Sequence, residues 1–192
     1  MSRYCEALII GGSAGSLDVL LKVLPGLDAH LPFPIIMVLH RKPGKDNLLT
    51  DLLAHKTKLL VKELEEKEKM KPATVYITPP NYHLLIEKDK TFSLDASEKV
   101  NFSRPSIDVT FESAAEVFQD QLVCLLLSGS NNDGTYGLQK VKENGGRTLI
   151  QDPASAVVPH MPEYALKNAI IDKVLNIEEM AAYINQLKNE RA

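Results

Sequence analysis

The sequence predicts an α/β fold: a doubly wound, mostly parallel sheet with helices on both faces and an antiparallel hairpin at one edge. Two observations carry this expectation. Short apolar runs bounded by turn residues alternate with longer amphipathic stretches, the pattern of βαβ units. In addition, two short runs flank the polar Lys88-Asp89-Lys90, which reads as a hairpin and suggests an antiparallel edge to a mixed sheet.

The expected strands, in order, are Ala7–Gly11, Ile35–His40, Thr74–Thr78, Leu122–Leu127 and Arg147–Ile150, with a weaker one near Asp172–Leu175. Leu84–Ile86 and Thr91–Leu94 form the hairpin arms. Helices are expected to begin near Ser16, Asp46, Asp108, Gly134, Pro162 and Glu178. Their apolar residues recur at spacings of three and four, as in Leu17, Leu20, Leu21 and Leu24. The run Glu63–Lys71 mixes both signs of charge and reads as a solvated surface segment.

With no repeat and no Gly/Ser- or Pro-rich linker, residues 1–192 read as a single domain, long enough to bury a substantial core. Apolar residues make up 44% and charged residues 24%, an ordinary globular composition. A net charge of −3 gives no reason to expect a nucleic-acid partner, which would require a basic stripe. Cys5 and Cys124 sit inside apolar runs and are expected as buried thiols, with no disulfide framework or zinc site. Ala7–Ile10 is too short for a signal peptide, and no run approaches a membrane span. A soluble cytoplasmic protein is expected.

Gly11-Gly12-Ser13-Ala14-Gly15 has the G-x-S-x-G spelling of a nucleophile elbow and lies between a strand and a helix. A side chain projected from so tight a turn needs small neighbours, and glycine tolerates positive φ. The hydroxyl would then lie near a helix N-terminus, whose free N–H groups favour a developing oxyanion. Two phosphate-binding readings compete. A Walker loop is excluded because the turn has no lysine. A dinucleotide site needs an acidic residue after the second strand, but here that strand ends in His40-Arg41-Lys42. Arg41 leaves an NADP reading open.

In doubly wound sheets functional residues gather at the carboxyl ends of strands near the topological switch point. Ser13 and His40 follow the first and second strands, and Asp133 ends the polar loop Ser128-Gly129-Ser130-Asn131-Asn132-Asp133 after a later one. Together they offer nucleophile, base and orienting carboxylate. Asp133 alone could equally be a helix N-cap. His160 is the second choice of base, since it would restore the Ser, Asp, His order of α/β-hydrolases. His83 is a candidate cleft-lining residue, whereas His30 and His55 have nothing to recommend them. Arg41, Lys42 and Lys45 form a cationic turn beside the proposed base.

Ile10–Ser16, Val38–His40, Val75–Leu84, Arg104–Asp108, Leu127–Gly134 and Gln151–Pro162 occur in an order that resembles the catalytic domain of the bacterial chemotaxis methylesterases. The resemblance extends from about Ala7 to the C-terminal helix. It implies Ser13 as nucleophile, His40 as base and Asp133 as orienter. It further implies hydrolysis of glutamate γ-methyl esters on the helical cytoplasmic region of chemoreceptors, deamidation of receptor glutamines, and no cofactor or metal. Ala14 stands where the family often has threonine, and Ser130-Asn131 where it has methionine-glycine. The backbone N–H at Ser130 is the implied oxyanion donor, and Asn131 would be strained if its position required positive φ. These departures also raise a second reading, a catalytically degenerate module that binds a signalling partner. The chain starts close to its first strand, so a stand-alone catalytic domain without the family's receiver is expected.

Overall fold

The computed structural model describes residues 4–42 and 48–190, with side chains described through residue 188. Nine strands are present among these residues: β1 (Ala7–Gly12), β2 (Ile35–Leu39), β3 (Leu60–Glu63), β4 (Thr74–Ile77), β5 (His83–Ile86), β6 (Phe92–Asp95), β7 (Leu122–Leu126), β8 (Arg147–Gln151) and β9 (Lys173–Leu175). The α-helices are α1 (Ser16–Val23), α2 (Leu48–Ala54), α3 (Ile107–Phe118), α4 (Thr135–Glu143), α5 (His160–Asn168) and α6 (Ile177–Gln186). Asp46, the expected start of the second helix, lies outside the described residues.

Seven strands form one sheet in the order β3-β4-β2-β1-β7-β8-β9, every neighbouring pair parallel. All residues of β1, β2 and β7 are buried, as expected of parallel strands covered on both faces, whose sequences read as unbroken apolar runs. Successive side chains feed two cores. Leu8 and Ile10 pack with Val19, Leu20, Leu53, Met180 and Ile184 on the side of α1, α2 and α6. Ala7 and Ile9 pack with Ile107, Phe111, Leu138, Val141 and Met161 on the side of α3, α4 and α5. Each such aliphatic side chain contributes about 1.5–3 kcal/mol by leaving water.

The chain starts at β1, builds outward through β2 to the β4–β3 edge, then returns to lay β7 against the other side of β1. The switch point therefore falls between β1 and β7, with β2 alongside.

Two features differ from the sequence pattern. The hairpin of β5 and β6 is antiparallel as expected but forms its own two-stranded sheet, so the main sheet has no antiparallel member. Pro79 and Pro80, which lack an N–H, carry the chain away after β4. The hairpin is then satisfied by α3, where Thr110 Oγ1 donates to the Leu84 carbonyl (2.9 Å) and Ser113 Oγ accepts from Ile86 N–H (3.1 Å). The second difference is β3, which enters the charged run expected to be solvated surface. Val61 and Leu64 are buried, while Lys62 pairs with Glu65 and Glu68 on the outside. A half-polar edge strand carrying lysine has no clear apolar signature, and its charge discourages edge pairing.

Candidate active site

The parallel ladder between β1 and β7 continues past both strands. Leu127 N–H donates to Gly11 C=O (2.8 Å) and Ser13 N–H to Ser128 C=O (2.9 Å), so Ser13 sits on the switch-point crevice. Behind it the chain turns sharply. Ser16 donates to the Ser13 carbonyl through both its N–H (3.1 Å) and its Oγ (2.6 Å). Gly15 takes φ +82°, a conformation that glycine adopts freely. Gly11 and Gly12 serve a different purpose, since a Cβ on Gly11 would lie 2.5 Å from Ile107 Cγ2 and one on Gly12 2.6 Å from Ser16 Cβ. They are needed for close approach, whereas positive φ is needed at Gly15.

His40 arrives from β2. Gly12 and Leu39 are register partners, and His40 N–H donates to Gly12 C=O (3.0 Å), so Ser13 and His40 are the next residues on adjoining strands. His40 Nε2 lies 2.7 Å from Asp133 Oδ2, with the His40 side chain 13% exposed and Asp133 wholly buried. Asp133 Oδ2 also accepts from Ile107 N–H (2.7 Å), and Oδ1 accepts from Ser106 Oγ (2.9 Å) and Asp108 N–H (2.9 Å). Burial opposes ionisation of Asp133, but the hydrogen bonds from His40, Asp108 and Ile107 outweigh it and hold the carboxyl below its ordinary pKa. An ionised Asp133 can only accept, so His40 Nε2 carries the proton and Nδ1 remains the free acceptor. Among the described residues, the hydroxyl of Ser13 makes no hydrogen bond to either side chain.

Asp133 is thus a helix cap, but not of the helix that follows it. It caps the N-terminus of α3, while the N-cap of α4 is Gly134 at φ +96°. The α4 N-terminus is held by Asp108, whose Oδ1 accepts from Gly134 N–H (2.9 Å) and Gly137 N–H (2.7 Å). The sequence marks Asp108 as a helix start and points to no site role for Asp108 or Ser106. The Ser-x-Asp spelling before an amphipathic stretch is the signal that could have found them.

The remaining candidates separate clearly. His160 Nε2 meets Asn132 Oδ1 (2.7 Å) and its ring stacks on Tyr164, so His40, and not His160, reaches Asp133. His83, expected in the cleft, is buried beneath it. Its Nδ1 accepts from Ser106 N–H (3.1 Å) and its Nε2 donates to Glu98 C=O (2.8 Å), which fixes the residue that caps α3. Asn131 is not among the positive-φ residues. Its Oδ1 accepts from Asp133 N–H (3.1 Å) and its Nδ2 donates to Ser103 Oγ (3.3 Å), so asparagine helps to build the loop. Cys5 and Cys124 are free and buried, and burial pushes the Cys124 thiol well up. Lys45 lies outside the described residues.

His40 opens onto a cleft of about 310 Å³ lined also by Arg41, Lys42, Lys99 and Arg104. Arg41 is engaged by Glu63 (2.7 Å), and Arg104 by the carbonyls of Ala96 and Ser97. The His40–Asp133 pair thus lies beside a strand-end serine, at the switch point of a doubly wound sheet.

Comparison with known proteins places the chain in a family. The family model for CheB methylesterase matches residues 8–184. The chain belongs to the CheB methylesterase family. A Leptospira interrogans protein, provisionally named protein-glutamate methylesterase/protein-glutamine glutaminase, is 47% identical over 176 residues, covering 92% of this chain and 91% of the relative. The Thermotoga maritima protein-glutamate methylesterase/protein-glutamine glutaminase is 36% identical over 173 residues, or 88% of this chain and 50% of the relative. The solved catalytic domain of Thermotoga maritima CheB methylesterase superposes with a TM-score of 0.91 at 34% identity, covering 95% of this chain and 98% of that one. No helix among the described residues is long and apolar enough to cross a membrane.

Proposed function

We propose that this CheB-family enzyme is a cytoplasmic serine hydrolase, a single catalytic domain that removes methyl groups from glutamate γ-methyl esters of chemoreceptors and deamidates receptor glutamines. The observation that carries the reading is the His40–Asp133 pair, its carboxylate wholly buried and bonded, with His40 at the strand position next to Ser13. Ser13 Oγ attacks the ester carbonyl while His40 Nδ1 takes its proton. The imidazolium, stabilised by Asp133, then protonates the departing methoxide. Water repeats the sequence on the acyl-enzyme to give glutamate. Ser130 is an exposed residue that follows Gly129, where an added Cβ would lie 3.0 Å from Ser13 Cβ; its backbone N–H is the oxyanion donor of this proposal, and such a donor is worth roughly 3 kcal/mol.

The cations around His40 suit a substrate helix with acidic neighbours. Raising salt should then raise KM several-fold, because exposed charges are screened. An unchanged kcat/KM removes the steering role.

The nucleophile is tested by labelling with a fluorophosphonate and locating the adduct by mass spectrometry. Modification at Ser13, absent in His40→Ala, is expected. A folded protein that stays unlabelled at Ser13 rejects the hydrolase reading and favours a binding module.

A further inference from the structure

Asp108 and Asp133 exchange helices. Asp133 lies two residues before α4, just ahead of its N-cap Gly134, yet its carboxylate takes the first free N–H groups of α3, those of Ile107 and Asp108. Asp108 lies in the first turn of α3, yet its carboxylate takes Gly134 and Gly137 N–H at the start of α4. Each therefore holds the segment that carries the other. The crossing is close-packed, for a Cβ on Gly137 would lie 2.6 Å from Phe111 Cβ and 3.1 Å from Asp108 Cα. Oδ2 of Asp108 is in turn fixed by Asn101 Nδ2 (3.1 Å).

We propose that Asp108 is a positioning residue for the esterase reaction, fixing the loop end that carries Asp133 and, through it, the orientation of the His40 imidazole. This rests on the Ser13–His40–Asp133 reading above. Three observations distinguish Asp108 from an ordinary cap. It is 5% exposed and has no salt-bridge partner among the described residues, a rare setting for a carboxylate. Asp133 stands against it as a second carboxylate, and burial followed by that like charge pushes Asp108 up to about 7. Such repulsion persists only where the surrounding hydrogen bonds over-determine the arrangement. Moreover, the restraint it supplies bears on the residue directly following Asp133: without it the loop end that carries Asp133 loses one of its anchors, and a misplacement near 1 Å costs on the order of 100-fold in rate.

The test compares Asp108→Ala, Asp108→Asn and Asn101→Gly in the full chain. The amide of Asp108→Asn retains an oxygen for the Gly134 and Gly137 N–H groups. Glycine at 101 tolerates the φ of +48° found there and removes only the anchor of Oδ2. Two readouts are taken: kcat and KM for a methyl-esterified receptor fragment, and the low-field proton resonance of His40 Nε2–H. Asp108→Ala should lower kcat by roughly 10- to 100-fold with KM little changed, and should lose or shift the resonance. Asp108→Asn should recover most of kcat and the resonance, and Asn101→Gly should show a smaller loss of kcat alone.

Asp108→Ala with wild-type kcat and an unmoved resonance overturns the proposal. So does equal loss in the Ala and Asn variants, which would assign the residue to general stability. Should Asp108→Ala fail to fold, an unaltered kcat in Asn101→Gly overturns it. An inactive wild type whose resonance still follows the Ala and Asn pattern rejects the esterase reading while the positioning role stands.

Discussion

Asp133 is wholly buried and accepts four hydrogen bonds through its side chain, from His40, Ser106, Ile107 and Asp108. Ser13 is half-buried, and among the described residues it is held through its N–H and C=O, by Ser128 and Ser16. The orienter is built into the helix packing, whereas the base and the attacking group both stand at strand ends, and among the described residues the Ser13 hydroxyl bonds neither His40 nor Asp133. Folding energy and catalysis should therefore coincide at Asp133 and separate at Ser13.

The largest expected effects test that division directly. Ser13→Ala should reduce turnover on the order of 10⁶-fold, yet change unfolding free energy by less than about 0.5 kcal/mol. Asp133→Ala should also cost at least about 10⁴ in turnover, and in addition destabilise the fold, because each buried donor left unpaired costs about 1–3 kcal/mol. Urea unfolding of the two variants gives the comparison. Equal stability would dissolve the distinction.

A smaller change probes the serine side alone. A Cβ at Gly129 would lie 2.5 Å from Met161 Cε and 3.0 Å from Ser13 Cβ, so Gly129→Ala should displace Ser13 while sparing the His40–Asp133 bond. A loss in kcat of about 100-fold or less is expected, with the His40 resonance unmoved. Movement of that resonance would show that the two halves are mechanically one.

The smallest effect concerns pH. A carboxyl whose folded pKa is raised holds its proton more tightly folded than unfolded. Asp108 therefore favours folding at low pH, and its contribution is lost as pH rises from the ordinary carboxylate range through about 7. Asp133, held low, behaves oppositely and loses its contribution only as pH falls through its depressed pKa. Asp108→Asn should therefore gain stability relative to the wild type between about pH 5 and pH 8. A difference that does not vary with pH would show that Asp108 is not protonated more readily in the folded chain.

Much of this was legible in the sequence because the central strands are buried on both faces. Unbroken runs such as Ala7–Ile10 and Leu122–Leu127 mark them without ambiguity, and the glycine-rich and polar segments after them mark the strand ends that carry Ser13 and Asp133. What stayed hidden depends on long-range partners. The strand at Leu60–Glu63 is an edge of two apolar residues followed by two charged ones, and its pairing with Thr74–Ile77 is invisible locally. The crossed caps are hidden for the same reason: a cap is usually sought within three residues, whereas Asp133 and Asp108 reach across about 25 residues to each other's helix. His83 follows a strand, the position that suggests a cleft residue, yet both its ring nitrogens are occupied in the interior.

The most direct test of the central claim is methanol release from a methylated chemoreceptor fragment, measured for the wild type and for Ser13→Ala at equal folded concentration. Release by the wild type that is abolished by the substitution is the predicted result. Release that survives in Ser13→Ala would contradict the nucleophile, and a folded wild type that releases none from several receptors would contradict the esterase.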